Sequence, residues 1–306
     1  MLLKSLGYRL EAALDRLLAY PLERRRFKRD VGYWPRLRRP RSYNEKIVWR
    51  KLFDRNPQLA RVTDKWLLRG YAIEQLGRER AEEHLVPLYG LYNKPEAMTE
   101  ADLARPCVIK PTHSSGRVML FPEGLDRDIG EVRERVAHWL AEPAHRIRHH
   151  EWAYSQLKPR VMVEAWLEGE NGQPPPDYKF LVFGGRTRLI QVHQDRFGNH
   201  CRSEFDRDWR FLEVDGDGRG SDPLPCPERY PEMLALAERL AQPFDFMRVD
   251  LYLVGGRIYL GELTAYPGSG RRCFDPSQFD FELGRHWRLP GPGVRLGLGR
   301  QPELAR

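Results

Sequence analysis

Two strand-like runs late in the chain constrain the fold more than any other feature. Phe246–Val254 and 257–263 are separated only by Gly255-Gly256, and a two-residue glycine connection is typical of a β-hairpin. Pairing of the strands would bring Asp250 and Glu262 close together on one face. Because an unpaired carboxylate among the apolar neighbours of Glu262 is costly, the pattern favours a partnered polar site over a solvated sheet face.

The two carboxylates form a candidate magnesium site. With the adjacent hydroxyl of Thr264, they supply the hard oxygen ligands that Mg²⁺ prefers. Arg248 lies two residues before Asp250 and therefore on the same face of its strand. A guanidinium in this position is suited to stabilise charge on a phosphoryl group during transfer.

A second hairpin indicates the fold class. The runs 178–183 and 187–194 flank Gly184-Gly185. Lys179 alternates with apolar neighbours, so it points either into a cleft across the sheet or into water. The later two-thirds of the chain thus contain hairpins rather than regular βαβ repeats. This pattern predicts an α+β fold with antiparallel sheets.

A lysine at the end of an apolar strand marks a candidate phosphate site. Lys110 follows the run 107–109, and a loop containing Ser114, Ser115 and Gly116 comes next. Such a loop can turn backbone N–H groups toward phosphate oxygens, which the ammonium meets as a point charge. Only nine of the 51 basic residues are lysine, so a lysine here is informative. The simpler alternative is a surface lysine before a turn.

The strand predicted over 160–167 carries a candidate site for a nucleotide base. Glu164 lies inside this strand and Glu168 at its end. The backbone there is suited to pair with the edge of adenine, and a carboxylate to accept amino or ribose hydrogens. An edge strand with outward-facing carboxylates is the alternative.

The first hundred residues are predicted to be rich in helix. Leucines recur at helical spacing over 1–20, and a basic, proline-containing stretch follows. Ser42 and Glu45 form a capping-box pattern, which predicts a helix over 44–54. A further helix is expected over 60–76.

The net charge of +8 favours an anionic partner without identifying it. The densest basic run covers 24–29. It is either an ordinary solvated surface or, with the leucines of 1–20, a region for peripheral attachment to a membrane. No nucleic-acid-binding motif is found, so no nucleic-acid partner is expected.

Segment composition and cysteine spacing favour a cytoplasmic protein, at most attached to the inner face of a membrane. No apolar run approaches the length of a transmembrane helix, and Arg9, Glu11 and Asp15 interrupt any signal-peptide stretch. The four cysteines are scattered, with neither a disulfide framework nor zinc-ligand spacing.

The order of these motifs resembles the ATP-grasp superfamily. More narrowly, the chain resembles the TupA-like ATP-grasp family of teichuronopeptide and surface-polysaccharide biosynthesis over about 40–285. The matching stretches are YNEKIVW at 43–49 with DRNP at 54–57, DYKF at 177–180 and ELTAYPGSG at 262–270. The superfamily usually has Asn where this chain has Thr264, so that position departs from the pattern.

The resemblance implies ATP and Mg²⁺ bound between two α+β lobes that grip the nucleotide. The expected divisions are a helix-rich region over 1–100, a smaller lobe over about 101–165, a larger lobe over about 166–288 and a flexible tail over 289–306. By position, the implied phosphate contacts are Lys110 and Lys179, the implied base and sugar contacts are Glu164, Leu167 and Glu168, and the implied metal ligands are Asp250, Glu262 and Thr264. Arg248 and Lys179 would act at the reacting phosphoryl group.

The function implied by the family is carboxylate–amine ligation through an acyl phosphate. The implied partners are an acidic saccharide or other carboxylate acceptor and an amine donor such as an amino acid. A kinase on the same scaffold is one alternative, and a glycosyltransferase or a non-catalytic polysaccharide-assembly factor is another. The hydrolase motif GxSxG and the metalloprotease motif HExxH are both absent from the sequence.

Overall fold

The computed structural model describes residues 2–141, 149–169, 172–195, 198–214 and 222–290. Two antiparallel sheets dominate it, in agreement with the predicted α+β class. The smaller sheet has the order β1-β4-β2-β3 and the larger one β7-β6-β5-β8-β9. The strands are β1 Leu88–Tyr92, β2 Cys107–Pro111, β3 Met119–Phe121, β4 Val161–Ala165, β5 Asp177–Phe183, β6 Arg186–Gln194, β7 Cys201–Phe205, β8 Phe246–Val254 and β9 Arg257–Thr264.

Eleven α-helices lie within the described ranges. They are α1 Leu2–Leu17, α2 Pro21–Val31, α3 Tyr43–Phe53, α4 Pro57–Thr63, α5 Lys65–Leu76, α6 Arg78–His84, α7 Glu100–Leu103, α8 Ile129–Ala141, α9 Trp152–Ser155, α10 Tyr230–Ala241 and α11 Gln278–Arg285. None of these helices combines the length and the apolar character that crossing a bilayer requires. The predicted tail lies, from residue 291 onward, outside the described residues.

The helix predicted over 60–76 is in fact two helices, α4 and α5, which meet at Asp64. The Asp64 carboxylate accepts hydrogen bonds from the backbone N–H groups of Trp66 and Leu67 and so begins a new helix. The basic stretch after residue 20 also contains a helix, α2, with Pro21 at its first position, where a missing N–H costs nothing.

The larger sheet has one apolar and one polar face. Its apolar face packs against α10, where Met233, Leu236 and Leu240 are buried. Because side chains alternate along a strand, the residues between the apolar ones point to the opposite face. That face carries Lys179 and Asp250, both almost completely buried. The chain therefore stabilises the sheet from one side and places its charged groups on the other.

The smaller sheet packs against α8 through a core of its own. Ile109 and Val163 of the sheet and Val132 and Val136 of the helix are fully buried there. Strand β1, which precedes the predicted smaller lobe, pairs with β4 and completes this sheet. Strand β2 pairs with the other edge of β4, which places Val108 opposite Glu164.

Candidate active site

A cleft of about 1500 Å³ lies between the two sheets, and most of the predicted site residues line it. The smaller-sheet side contributes Lys110, Ser114, Ser115, Gly116, Glu164, Leu167 and Glu168. The larger-sheet side contributes Arg248, Asp250, Glu262 and Thr264. Lys179 does not line the cleft and lies beside Asp250, on the neighbouring strand β5. Residues predicted from four separate stretches of sequence thus meet in one place.

The floor of the cleft is the hairpin of β8 and β9. The strand register pairs Asp250 directly with Glu262, as the glycine connection predicts. Arg248 joins the two acids, because its Nη2 is 2.8 Å from Asp250 Oδ2 and 2.8 Å from Glu262 Oε1. Its Nε is 2.7 Å from Asp250 Oδ1. The Thr264 hydroxyl accepts from Arg248 at 3.0 Å and donates to Glu262 at 3.0 Å.

Lys179 supplies a second cation to this floor from the neighbouring strand β5. Its ammonium donates to Asp250 at 2.7 Å and lies 3.3 Å from Asp177. The register places Lys179 opposite Asp250, so the contact follows from strand pairing. Two cations and two carboxylates therefore compensate one another in a site where Asp250 is only 1% exposed.

The surrounding charges shift the titration of this floor. Burial by itself would raise the pKa of Glu262, but Lys65, Arg248 and Lys179 outweigh it and hold that pKa well below the ordinary value. Burial likewise would lower the pKa of Arg248, and Asp250 and Glu262 raise it instead. The carboxylate of Glu262 and the guanidinium of Arg248 thus stay charged at neutral pH.

The oxygens of Asp250, Glu262 and Thr264 suit a magnesium ion. Among the described residues, no group of three or more His, Cys, Asp and Glu side chains is arranged to hold a metal by itself. Magnesium commonly takes only one or two carboxylates and fills its other positions with phosphate oxygens and water. Asp250 and Glu262, paired across the hairpin and lining the cleft, supply those two carboxylates.

On the opposite wall, Glu164 forms an ion pair with Lys110. Arg69 Nη1 lies 3.4 Å from the same carboxylate. The side chains of Glu164 and Lys110, predicted to contact different parts of a nucleotide, therefore contact each other across neighbouring strands. Leu167 and the exposed Glu168 follow the end of β4 and line the cleft beyond this pair.

The loop after β2 has the features expected of an anion-binding turn. Gly116 adopts a φ of +73°, in the left-handed region that side chains other than glycine rarely adopt. The hydroxyl of Ser114 is buried and has no hydrogen-bond partner among the described residues. An unpaired buried hydroxyl beside a cleft is costly, so a bound ligand oxygen would satisfy it.

Lys65 is a cleft residue that the sequence analysis missed. It begins helix α5, and its ammonium donates to the carbonyl of Ser114 at 2.7 Å. Burial lowers the pKa of Lys65, although the charge of Glu262 opposes the shift. The scarcity of lysine, which singled out Lys110, was the available signal. Its position at the start of a helix gave no indication that it reaches this loop.

The turn Pro267–Gly270 forms one edge of the cleft. Gly268, Ser269 and Gly270 all have φ between 56° and 69°, and Ser269 lines the cleft. A Cβ atom on Gly270 would lie 2.8 Å from the carbonyl oxygen of Asn44, so only glycine fits against helix α3. Left-handed backbone at Ser269, a residue with a side chain, persists only where the surroundings fix it.

Helix α3 supplies those surroundings. It begins with the predicted capping box of Ser42 and Glu45. The buried Lys51 donates to the carbonyl oxygen of Ser269 at 2.8 Å and to its hydroxyl at 2.9 Å. Asn44 donates to the carbonyl of Arg272 and accepts from its N–H. Helix α3, which contains the stretch YNEKIVW at 43–49, thus holds the turn at the end of the ELTAYPGSG stretch in place.

Two antiparallel sheets that enclose such a cleft define a protein of the ATP-grasp class. The family described as TupA-like ATPgrasp matches residues 45–288, and the chain belongs to this family. A search of curated proteins gives no match.

Solved structures similar to the chain include D-alanine–D-alanine ligase from Bacillus anthracis in complex with ATP. The two are 14% identical, with a TM-score of 0.39, and the match covers 68% of this chain and 55% of that one. L-amino acid ligase from Bacillus licheniformis is 17% identical, with a TM-score of 0.40, and the match covers 68% and 44% of the two chains. The chain thus spans about half the length of these ligases.

Proposed function

We propose that the protein is an ATP- and magnesium-dependent carboxylate–amine ligase. The observation that carries the proposal is that Asp250 pairs with Glu262 on the floor of the cleft and that Arg248 binds both carboxylates. The opposite wall presents Lys110 and an anion-binding loop. Carboxylates opposite cations are what a magnesium triphosphate requires, since the ion takes the acids and the cations take the phosphates.

Each charged residue has a role in this proposal. Asp250 and Glu262, with Thr264, would hold magnesium, which neutralises phosphate charge when bound. Lys110 and the N–H groups of the loop 114–116 would contact phosphate oxygens, and Lys65 would join them from helix α5. Lys179, which does not line the cleft, would hold the Asp250 carboxylate in place. Glu164, Leu167 and Glu168 would contact the base and sugar, with Lys110 exchanging its bond to Glu164 for a phosphate.

The reaction would proceed in two transfers. An oxygen of the acceptor carboxylate attacks the terminal phosphorus of ATP, the bond to ADP breaks, and an acyl phosphate forms. An amine then attacks the acyl carbon, phosphate leaves, and the amine loses a proton as the amide forms. Arg248 would stabilise the charge on the transferring phosphoryl group, so that positioning and charge neutralisation supply the catalysis.

We propose an acidic saccharide, or another carboxylate bound to a surface-polysaccharide precursor, as the acceptor and an amino acid as the amine. Arg271 lines the cleft beside Ser269, with its Nη2 3.2 Å from His149 Nδ1. A guanidinium at this end of the cleft supports an anionic acceptor. The cytoplasmic face of a membrane, reached through the basic N-terminal region, is the proposed place of action.

The test is release of ADP by the full chain with ATP and magnesium, while acids and amines are supplied singly and together. We expect turnover that needs both an acid and an amine and that falls about a thousandfold in Asp250→Asn and Glu262→Gln. Glu79→Gln, at an exposed position on α6, is the matched control and should keep wild-type turnover.

Mass spectrometry of the product separates the competing reactions. An amide supports the ligase, whereas a phosphorylated sugar formed without any amine would identify a kinase. Consumption of a nucleotide sugar in place of ATP would indicate a glycosyltransferase. Full turnover in both carboxylate variants would refute the magnesium site.

A further inference from the structure

The N-terminal helix α1 exposes a row of leucines to solvent. All five large apolar side chains that stand exposed among the described residues lie within the first 34 positions. Leu10 and Leu14 are 57% exposed, Leu17 is 80% exposed and Leu18 is 66% exposed. Spacings of four and three residues place the first three on one face of the helix. A face this apolar is unusual on a soluble surface.

The opposite face of α1 is already attached to the protein. Asp15 is buried and accepts hydrogen bonds from the backbone N–H of Leu22 at 2.6 Å and from His150 Nε2 at 2.8 Å. These contacts fix the rotation of the helix about its axis. The leucine face therefore points outward because the helix is held in place, not because the helix is loose.

The charge around this face has a single sign. Between residues 7 and 41, nine basic side chains are exposed, among them Arg25, Lys28, Arg38 and Arg39. The four acidic residues of the same stretch are buried or half-buried and paired with bases. The exposed charge of α1, α2 and the following loop is thus entirely positive.

We infer that this region is a docking surface for an anionic lipid bilayer. An amphipathic helix lying in the headgroup plane inserts its leucines, while surrounding arginines and lysines contact lipid phosphates. A nucleic acid would use the positive charge but would gain nothing from the leucines. The inference deepens the location part of the proposed function and rests on it, and it commits the surface to lipid phosphates rather than to a free polyanion.

The experiment is sedimentation of the full chain with vesicles, either of phosphatidylcholine alone or with one-third phosphatidylglycerol. We expect binding only to the anionic vesicles and release by high salt. Leu14→Ser with Leu17→Ser should weaken binding about tenfold or more, because two apolar side chains no longer insert. Arg38→Glu with Arg39→Glu should weaken it to a similar extent.

The charge-matched control is Arg80→Glu with Arg135→Glu, at exposed positions on α6 and α8. It changes the net charge as much as the Arg38 and Arg39 pair does but should retain most of the binding. Equal loss in both arginine pairs, or unchanged binding of the leucine variant, overturns the inference. Stronger binding to an oligonucleotide than to anionic vesicles, insensitive to the leucine substitutions, also overturns it.

Turnover in the absence of vesicles, measured on the same variants, separates this inference from the ligase proposal. The leucine variant should keep wild-type ADP release and an unchanged thermal midpoint, since its side chains contact solvent. Vesicle binding by a protein that forms no amide would refute the activity and leave the surface standing. Amide formation by a protein that binds no vesicles would support the activity and refute the docking surface.

Discussion

The two walls of the cleft hold their charged residues in different ways. On the larger-sheet wall, Arg248 and Lys179 share Asp250, and Arg248 also binds Glu262. On the smaller-sheet wall, Lys110 pairs with Glu164, and its side chain is 20% exposed. The charged residues of the larger-sheet wall are therefore held by one another in the folded protein. On the smaller-sheet wall, Lys110 remains free to exchange its contact with Glu164 for a contact with an anion.

The largest expected effect comes from breaking the network. Asp250→Asn should lower ADP release by about a thousandfold. It should also lower the free energy of unfolding by about 3 kcal/mol, because Lys179 and Arg248 lose a shared carboxylate in a buried site. Urea unfolding at neutral pH measures the second quantity. Loss of turnover with undiminished stability would remove the contrast between the walls.

A second test concerns Lys51, the buried residue that binds Ser269 in the turn at the edge of the cleft. Lys51 and Glu23 form an ion pair at 2.7 Å, with both side chains fully buried. Lys51→Met should cost about 3 kcal/mol of unfolding free energy, because the charge of Glu23 is left unpaired. Adding Glu23→Leu should recover most of that loss.

The activity of the Lys51 variants tests whether Lys51 positions the turn Pro267–Gly270, independently of its ion pair with Glu23. Without the lysine, the carbonyl and hydroxyl of Ser269 lose a donor. We expect kcat to stay reduced in the stable double variant while the KM for ATP changes little. Recovery of both stability and kcat in the double variant would show that Lys51 does not position the turn.

A substitution on the smaller-sheet wall should impair ATP binding with little loss of stability. Lys110→Met should raise the KM for ATP by roughly tenfold to a hundredfold, the range of one lost charge-assisted hydrogen bond. Its unfolding free energy should change by only about 1 kcal/mol, because Arg69 still faces Glu164. A stability loss as large as that of Asp250→Asn would show that both walls are equally fixed.

The smallest expected effect is a dependence of stability on pH. His113 is 4% exposed, with Nε2 3.2 Å from the carbonyl oxygen of Trp139, and burial holds its pKa below the ordinary value. Below about pH 6.5 the unfolded chain binds a proton that the folded chain does not, so stability falls as pH falls. Burial shifts the pKa of His193 in the same direction.

Urea midpoints at several pH values between about 7.5 and 5.5 measure this slope. His113→Gln should reduce it by the share of one histidine, at most about 1.4 kcal/mol per pH unit. The remaining slope includes the contributions of His193 and His286, whose pKa values burial also lowers. An unchanged slope in the variant would show that His113 does not contribute to the acid sensitivity.

Much of the larger sheet was predictable because its signals are local. The glycine pairs define both hairpins, and side-chain alternation then places Asp250, Glu262 and Lys179 on one face. Strand β7 was missed because Arg202 and Glu204 interrupt its apolar pattern. Both are buried, and Glu204 forms ion pairs with Arg202, two residues away, and with the distant Arg272.

Contacts between distant segments were the part that the sequence could not reveal. Lys65 reaches Ser114, and Lys51 reaches Ser269, over separations of 49 and 218 residues. No pattern within a helix specifies such partners, since helix position fixes a face but not what that face meets. The motif 43–49 was recognised through the resemblance, and its physical role emerged only from the fold.

The guanidinium of Arg248, which binds both Asp250 and Glu262, determines how the folded protein responds to loss of magnesium. Because Arg248 already compensates both acids, the folded chain does not depend on a metal ion to hold Asp250 and Glu262 close together. A chelator should therefore stop turnover while leaving the melting temperature untouched. Without magnesium, such a protein would lose its activity but stay folded, and so would not be exposed to degradation. Activity would return when the ion is restored.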